Sequence, residues 1–193
     1  LRIAANGAVS MFWLYPRLQA FATSADACNV SVLTADAPTA FNADNLDLAV
    51  FYGETPPPGW TGQRLFDETL IPAAKPEVIA TLDDTADLPL LDYPRLAPDW
   101  INWAIWLSQK PEAALKDRPK DTCRSYGHAI GRALAGDGIA LASRPMLDAL
   151  FEAGQLAPVG QDKLTTARRY WLIQPRNLPV SQQVTLLQQA LHA

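Results

Sequence analysis

The sequence predicts an α/β fold, and three observations predict it. Short β-branched and apolar runs alternate with segments of helical periodicity along the chain. The run Leu48-Ala49-Val50-Phe51 is apolar without alternation, as strands covered on both faces of a parallel sheet are. After a proline-rich interruption, a second strand and helix series begins near Leu88, so the element order of the first part is repeated in outline.

In the first series, Leu1 to Ala5 reads as a short strand and Asn6-Gly7-Ala8 as the turn after it. A helix is predicted from about Val9 to Thr23, with Met11, Leu14, Leu18 and Phe21 on one face. Pro16 sits inside that pattern and must kink the helix or lie near its first turn. Asn29 to Thr34 and Leu46 to Tyr52 read as strands, separated by a polar linker with a short helix around Pro38 to Ala43. Thr55-Pro56-Pro57-Pro58-Gly59 is a stiff surface connection. Thr61 to Phe66 and Thr69 to Ala73 follow as two strand-like segments, ended by Lys75-Pro76.

The second series opens with a strand at Leu88 to Leu91, then a helix from Pro98 to Ser108 carrying Trp100, Trp103 and Trp106. Thr122 to Ser125 is a predicted strand, and Tyr126 to Ala135 a helix that Gly136 can end in the left-handed conformation. Next come a strand at Gly138 to Ala142 and a helix from an N-cap at Ser143, through Met146, Leu147, Leu150 and Phe151, to Gly154. Arg169 to Gln174 is the last strand. The closing helix has Val180, Val184, Leu187 and Leu191 as its apolar stripe.

Bulk properties exclude several function classes. With 193 residues and 49% apolar composition the chain can bury a sizeable core. Charges or prolines interrupt every apolar stretch before membrane-span length. The formal net charge of −4 repels a phosphate backbone, so DNA contact belongs elsewhere. The chain starts directly on a strand with no leader pattern, as an excised piece would. Cys28 and Cys123 have no metal-ligand spacing, and two buried reduced thiols are expected. The Gly-x-Ser-x-Gly elbow, His-Glu-x-x-His, the phosphate-binding glycine loop and the dinucleotide fingerprint are all missing. Gly136-Asp137-Gly138 begins a strand, the wrong context for phosphate. No enzyme activity, cofactor or metal is expected.

Several segments, taken in order, carry a resemblance. They are "LRIAANGAVSMFWLYPRLQAF" at the start, "LDLAVFYGE" (Leu46 to Glu54), "RLFDETLIPAAKPEV" (Arg64 to Val78), "DWINWAIWL" (Asp99 to Leu107), "GRALAGDGIALASRPMLDALFEAGQLAPV" (Gly131 to Val159) and "RRYWLIQP" (Arg168 to Pro175). The set resembles the effector domains of LysR-type transcription regulators. Tyr52-Gly53 and the aromatic segment from Trp100 are most similar to the glycine-cleavage-activator subgroup. The charged, proline-broken stretch Lys110 to Asp121 departs from the family pattern.

The resemblance implies two α/β lobes of the type-2 periplasmic-binding-protein fold, Rossmann-like and joined by two crossing strands. The first lobe would hold residues 1–73 with 175–193 and the second residues 74–174, with Leu70 to Ala74 and Trp171 to Gln174 as the hinge. It further implies a cytoplasmic regulator whose winged helix-turn-helix precedes this segment. A small effector, an amino acid or other carboxylate, would bind between the lobes. The family pairs as a homodimer, and as a tetramer at full length, through the helix near Met11 to Thr23 against the Tyr126 to Ala135 helix of its partner. No membrane contact is implied.

In open α/β sheets ligands sit beyond the carboxyl ends of strands, where helix N-termini favour anions. The candidate effector contacts are therefore Asn6, Ala8, Ser10, Thr34 and Tyr52 in the first series, with Trp100, Ser125, Tyr126, Ser143 and Tyr170 beyond it. Gly7 and Ser143 serve equally well as a turn and a helix cap. Trp103, Trp106 and His128 read as core or helix-face residues. A periplasmic solute-binding protein shares the fold and is the rival reading. A dehydratase-like enzyme would need Asp36 or Glu54, the first-lobe carboxylates at strand ends.

Overall fold

The structure, a computed structural model, describes residues 1–36, 45–80, 88–94, 100–110 and 115–192. The expected short helix at Pro38 to Ala43 lies outside them. The chain folds as two compact units, Leu1–Asp67 with Ala167–Ala193 and Glu68–Thr166. Helices and strands are interspersed along the chain, alternating most regularly in the second unit.

In the first unit β1 (Arg2–Ala5) pairs in parallel with β2 (Ser31–Thr34) on one side and β3 (Leu48–Gly53) on the other. Two long strands follow in the order of the chain, β4 (Trp60–Ala74) and β9 (Leu164–Pro175), and each runs from one unit into the other. Within the first unit β9 is antiparallel to β3, with Tyr52 opposite Tyr170. Ala4, Leu46, Ala49, Trp60 and Ile173 form an apolar cluster against these strands. The apolar composition of β1 and β3 is thus consumed by burial, as their unalternated sequence predicts.

The helix after β1 holds the first correction. It runs as α1 (Gly7–Val9), a π-helical turn at Ser10–Leu14 and α2 (Tyr15–Ala22). The Tyr15 N–H reaches back five residues to the Ser10 carbonyl. This wide turn ends just ahead of Pro16, whose ring has no N–H to give the helix. The extra residue in the turn rotates the helix face. Trp13, Leu14 and Phe21 are buried, whereas Met11, predicted for the same face, is 60% exposed.

The single strand β4 replaces the two separate segments expected at Thr61 to Phe66 and Thr69 to Ala73. Asp67 and Glu68 do not break it, because its ladder partner supplies the backbone bonds: Thr69 stands opposite Arg144 and Leu70 opposite Ser143.

After β4 comes α3 (Pro76–Ile79), and the second unit's sheet is built from β5 (Leu90–Asp92), β6 (Lys120–Thr122) and β7 (Ile139–Arg144). β5 is parallel to both β6 and β7; β7 is antiparallel to β4, and the short β8 (Ala157–Pro158) also pairs with β4. The tryptophan helix, α4 (Trp103–Gln109), starts at an Asn102 cap. Trp103 and Trp106 are fully buried with their rings edge to face, inside a core that includes Leu70, Leu90, Ile139 and Leu141. Their ring N–H groups donate to the carbonyls of Leu91 and Leu70, so neither indole buries an unpaired donor.

Several boundaries differ from expectation; α4, expected from Pro98, begins at Trp103. β6 ends at Thr122, and Ser125 is the N-cap of α5 (Tyr126–Ala135) rather than strand. Gly136 ends α5 at φ 92, as predicted. Ser143 is not a helix cap: β7 continues through Arg144, and the following helix α6 (Asp148–Glu152) starts after a turn. In the closing helix α7 (Gln182–His192), Val184, Leu187 and Leu191 are buried, but Val180 precedes the helix and is exposed. Cys123 is buried and Cys28 only half-buried; both are free thiols.

Candidate functional site

In the first unit the carboxyl ends of β1, β2 and β3 deliver Asn6, Thr34 and Tyr52–Gly53 to one edge of a parallel sheet. Asn6 is the N-cap of α1, its side chain accepting the Val9 N–H at 2.8 Å. The Ser10 N–H bonds back to the Asn6 carbonyl. Ser10 is only 2% exposed, and its hydroxyl accepts from Thr34 Oγ1 at 3.1 Å. The Gly7 N–H donates to the Asp36 carboxylate at 2.9 Å. Among the described residues, the Ala8 N–H is the first-turn amide left without a partner.

An aromatic row lies in the same unit. Trp13 meets Phe66 at 5.5 Å between centroids, Phe66 meets Tyr170 at 4.8 Å, and Tyr170 meets Tyr52 at 4.9 Å. The Arg17 guanidinium lies 4.5 Å from the Trp13 ring centroid and donates to the Trp13 carbonyl. Partial burial pulls its pKa down from the ordinary arginine value. Of the two carboxylates an enzyme would need here, Asp36 is held by Gly7 and Glu54 pairs with Arg168 at 4.0 Å.

The second unit handles its candidates differently. The Ser125 hydroxyl accepts the His128 N–H, and His128 Nδ1 accepts the Arg124 N–H, a reciprocal cap over the start of α5. Ser125 and His128 together thus cap α5, whereas α6, the helix Ser143 was expected to cap, has Leu147 at its N-cap and no side-chain cap bond. The Tyr126 ring packs edge-on against Tyr93, whose own hydroxyl donates to the Ile101 carbonyl. Tyr126 Oη accepts the Ser143 N–H at 2.8 Å. The ring is partly accessible, but burial of the hydroxyl pushes its pKa far above the usual phenol value, against a smaller lowering by the Ser143 bond. The Ser143 hydroxyl donates to Glu68 Oε1 at 2.6 Å, with Glu68 only 4% exposed.

Glu68 is the residue that sequence reasoning missed. Alternation along β4 places Glu68, Leu70 and Pro72 on one face, and all three are buried. That period-two pattern was the available signal, since a carboxylate on an inward face needs partners. Trp100 is half-buried just before α4. Within the first unit the structure gathers Asn6, Ala8, Ser10 and Thr34 on successive sheet-edge turns, and places Tyr52 beside Tyr170. Within the second it gathers Tyr126 and Ser143 around one hydrogen bond, with Ser125 adjacent. Among the described residues no cluster of His, Cys, Asp and Glu is arranged to hold a metal ion. None of the described helices is long and apolar enough to cross a membrane.

Polar turns at the carboxyl ends of parallel strands are where open α/β sheets bind small molecules. The family model for the LysR substrate binding domain matches residues 1–193, so the chain belongs to that family, the effector-binding regulatory domains of LysR-type transcriptional regulators. The family is non-enzymatic.

The chain is 25% identical over 171 residues to the glycine cleavage system transcriptional activator of Escherichia coli K12, covering 85% of this chain and 54% of that protein. It is 27% identical over 191 residues to the HTH-type transcriptional activator AmpR of Rhodobacter capsulatus, covering 94% and 62%. The chain thus spans little more than half the length of these curated relatives. Among solved structures it is similar to the effector domain of the regulator AmpR of Pseudomonas aeruginosa, with TM-score 0.72, 22% identity and coverage of 100% and 93%. It is also similar to full-length AphB of Vibrio cholerae, a virulence activator, with TM-score 0.67, 16% identity and coverage of 100% and 67%. These likenesses establish the fold, which is the type-2 periplasmic-binding-protein fold expected from the sequence.

Proposed function

We propose that this domain senses a small polar effector, an amino acid or other carboxylate, and passes its binding to a DNA-binding winged helix-turn-helix of a cytoplasmic LysR-type regulator. The observation that carries this reading is the set of polar groups at the carboxyl ends of parallel strands within a domain of that family. Asn6, Ala8, Ser10, Thr34 and Tyr52 with Tyr170 form one half of the effector contacts. Trp100, Ser125, Tyr126 and Ser143 form the other. The net charge of −4 is consistent with DNA contact made elsewhere in the regulator. The effector acts by binding two arrangements of the regulator unequally, with a coupling of about 1 to 3 kcal/mol.

The regulator is further proposed to pair as a homodimer, and as a tetramer at full length, through the Met11 to Thr23 helix against a partner's α5. Met11, and Tyr15 one turn on, are 60% and 46% exposed, which supports an apolar contact there. A solution state that stays monomeric at high concentration would overturn this pairing.

The effector is tested by thermal unfolding of the domain against amino acids and small organic acids. A ligand at about 100 times its Kd adds about 2.7 kcal/mol to stability. The expected result is a shift that Ser10→Ala and Tyr126→Phe each abolish. No shift across both compound classes would overturn the effector class.

A further inference from the structure

Hydrogen bonds have a direction, and in the second unit that direction singles out one proton. A backbone N–H can only donate, so at the 2.8 Å contact between Ser143 and Tyr126 it is the phenol oxygen that accepts. The Ser143 hydroxyl is committed as well, donating to Glu68 Oε1 at 2.6 Å. The hydrogen of the Tyr126 hydroxyl is still to be placed, and among the described residues no atom accepts it. Glu68 is close enough for its charge to help raise the phenol pKa, yet the bond it takes here comes from Ser143 and not from Tyr126.

Leaving that proton without an acceptor is costly. Burial of the hydroxyl holds the proton on oxygen at neutral pH, and folded proteins leave few buried donors unmatched. The ring is not free to swing away. It packs edge-on against Tyr93 at 5.1 Å between centroids, and Tyr93 is itself anchored by donating to the Ile101 carbonyl. A phenol hydrogen lies in the ring plane on one side of the oxygen or the other; one side faces the Ser143 N–H, so the proton takes the other. The residue as a whole is half-buried and so is not sealed from a bound molecule. Its neighbour has the same polarity: Ser125 Oγ accepts the His128 N–H, and its hydroxyl hydrogen has no acceptor among the described residues.

We infer that Tyr126 is a specificity-determining donor: the part of the effector that reaches it is an oxygen acceptor, a carboxylate or a carbonyl, and an ammonium group is not read there. An ammonium brings only hydrogens and leaves the phenol proton unmatched. The inference rests on the proposed effector site and assigns one end of its ligand.

Replacing Tyr126 by meta-fluorotyrosine sets a fluorine reporter beside the hydroxyl and makes its proton a stronger donor. The fluorine resonance of the whole chain is followed while acetate, acetamide or methylammonium is added at constant ionic strength. Acetate or acetamide should shift it saturably, the stronger of the two separating carboxylate from carbonyl, and methylammonium should not. A saturable shift with methylammonium would overturn the inference, and so would no shift with any of the three, as for a hydroxyl that serves only water. Tyr126→Phe, with binding read from the Gly127 amide, should weaken the better probe by about tenfold, the loss of one hydrogen bond to that acceptor. Equal affinity in a folded variant counts against the inference; if the variant does not fold, the fluorine titration still decides. An amino acid that stabilises the domain in thermal unfolding but leaves the fluorine unmoved would refute the role of Tyr126 and keep the effector reading. A domain that no compound stabilises would refute that reading, with the fluorine titration still deciding the polarity of Tyr126.

Discussion

The two units present polar strand ends built on opposite plans. In the first, Asn6, Ser10, Thr34 and Asp36 bond to one another and to the opening turn of a helix, and of these only Ser10 is buried. In the second, Ser143 links the buried carboxylate of Glu68 to the withdrawn hydroxyl of Tyr126. An exposed acceptor that loses its donor turns to water, whereas a buried one cannot, so equal-looking substitutions carry unequal costs. The difference separates adaptable recognition groups from groups whose first duty is to hold a strand end in place.

Glu68→Ala breaks that comparison most severely if it is wrong. It removes the acceptor of a buried hydroxyl and empties a buried side-chain position, with an expected loss of about 3 kcal/mol in denaturant unfolding. Asp36→Ala should cost no more than about 1 kcal/mol, since water replaces a half-exposed carboxylate. Equal losses would show that burial does not distinguish the two plans. Gly138→Ala follows at about 2 kcal/mol. A Cβ there would lie 2.6 Å from the Pro89 carbonyl oxygen and 2.7 Å from Leu91, and backbone cannot yield as a flexible side chain does.

Much of this was legible in the sequence, and what was not has physical causes. The α/β class, α5 with its Gly136 end and the buried tryptophans follow from period and turn chemistry, which are local. The π-helical turn escaped because hydrophobic periodicity assumes 3.6 residues per turn, and one inserted residue moved Met11 off the buried face. Ser125 was read as strand and Ser143 as a cap although both serines precede helical segments; only the ladder between β4 and β7 keeps Ser143 in a strand. Glu68 was passed over beside Asp67 because adjacent carboxylates look alike in a sequence, while strand alternation sends one to solvent and the other inward. The candidate strand ends were readable as positions. Which of their hydrogen bonds are already taken was not, since those partners lie 17 to 75 residues away.

Alkaline pH sharpens the comparison from the second unit's side. The folded-state pKa of Tyr126 is raised by burial, so above about pH 10 the unfolded chain releases a proton that the folded one retains. Stability is therefore complete below that pH and is lost as pH rises toward the folded value, by at most about 1.4 kcal/mol per pH unit. The Cys123 thiol, also pushed up chiefly by burial, adds a similar loss starting near its ordinary value of 9.0. Tyr126→Phe should cost about 1 to 2 kcal/mol at neutral pH, because the Ser143 N–H loses its acceptor. It should also flatten the decline above pH 10, and an unchanged slope would mean that Tyr126 is not withdrawn from solvent.

In the first unit Asn6→Ala should cost about 1 kcal/mol, the usual value of an N-cap, with the loss read by thermal or denaturant unfolding. Gly7→Ala is expected to have the smallest effect, within about 0.5 kcal/mol. Its Cβ would sit 3.4 Å from Asp36 Oδ1 and 3.9 Å from Thr34 Cγ2, ordinary contacts with side chains that can move. The position is the first of a helix and lacks a positive φ, so alanine loses nothing in backbone conformation and reduces the freedom of the unfolded chain. Gly138, by contrast, is excluded from any such gain by the backbone it faces. A cost at Gly7 approaching that at Gly138 would mean that the first-unit turn is packed as tightly as the second unit's sheet, and its polar groups would then have no room to adapt to an effector.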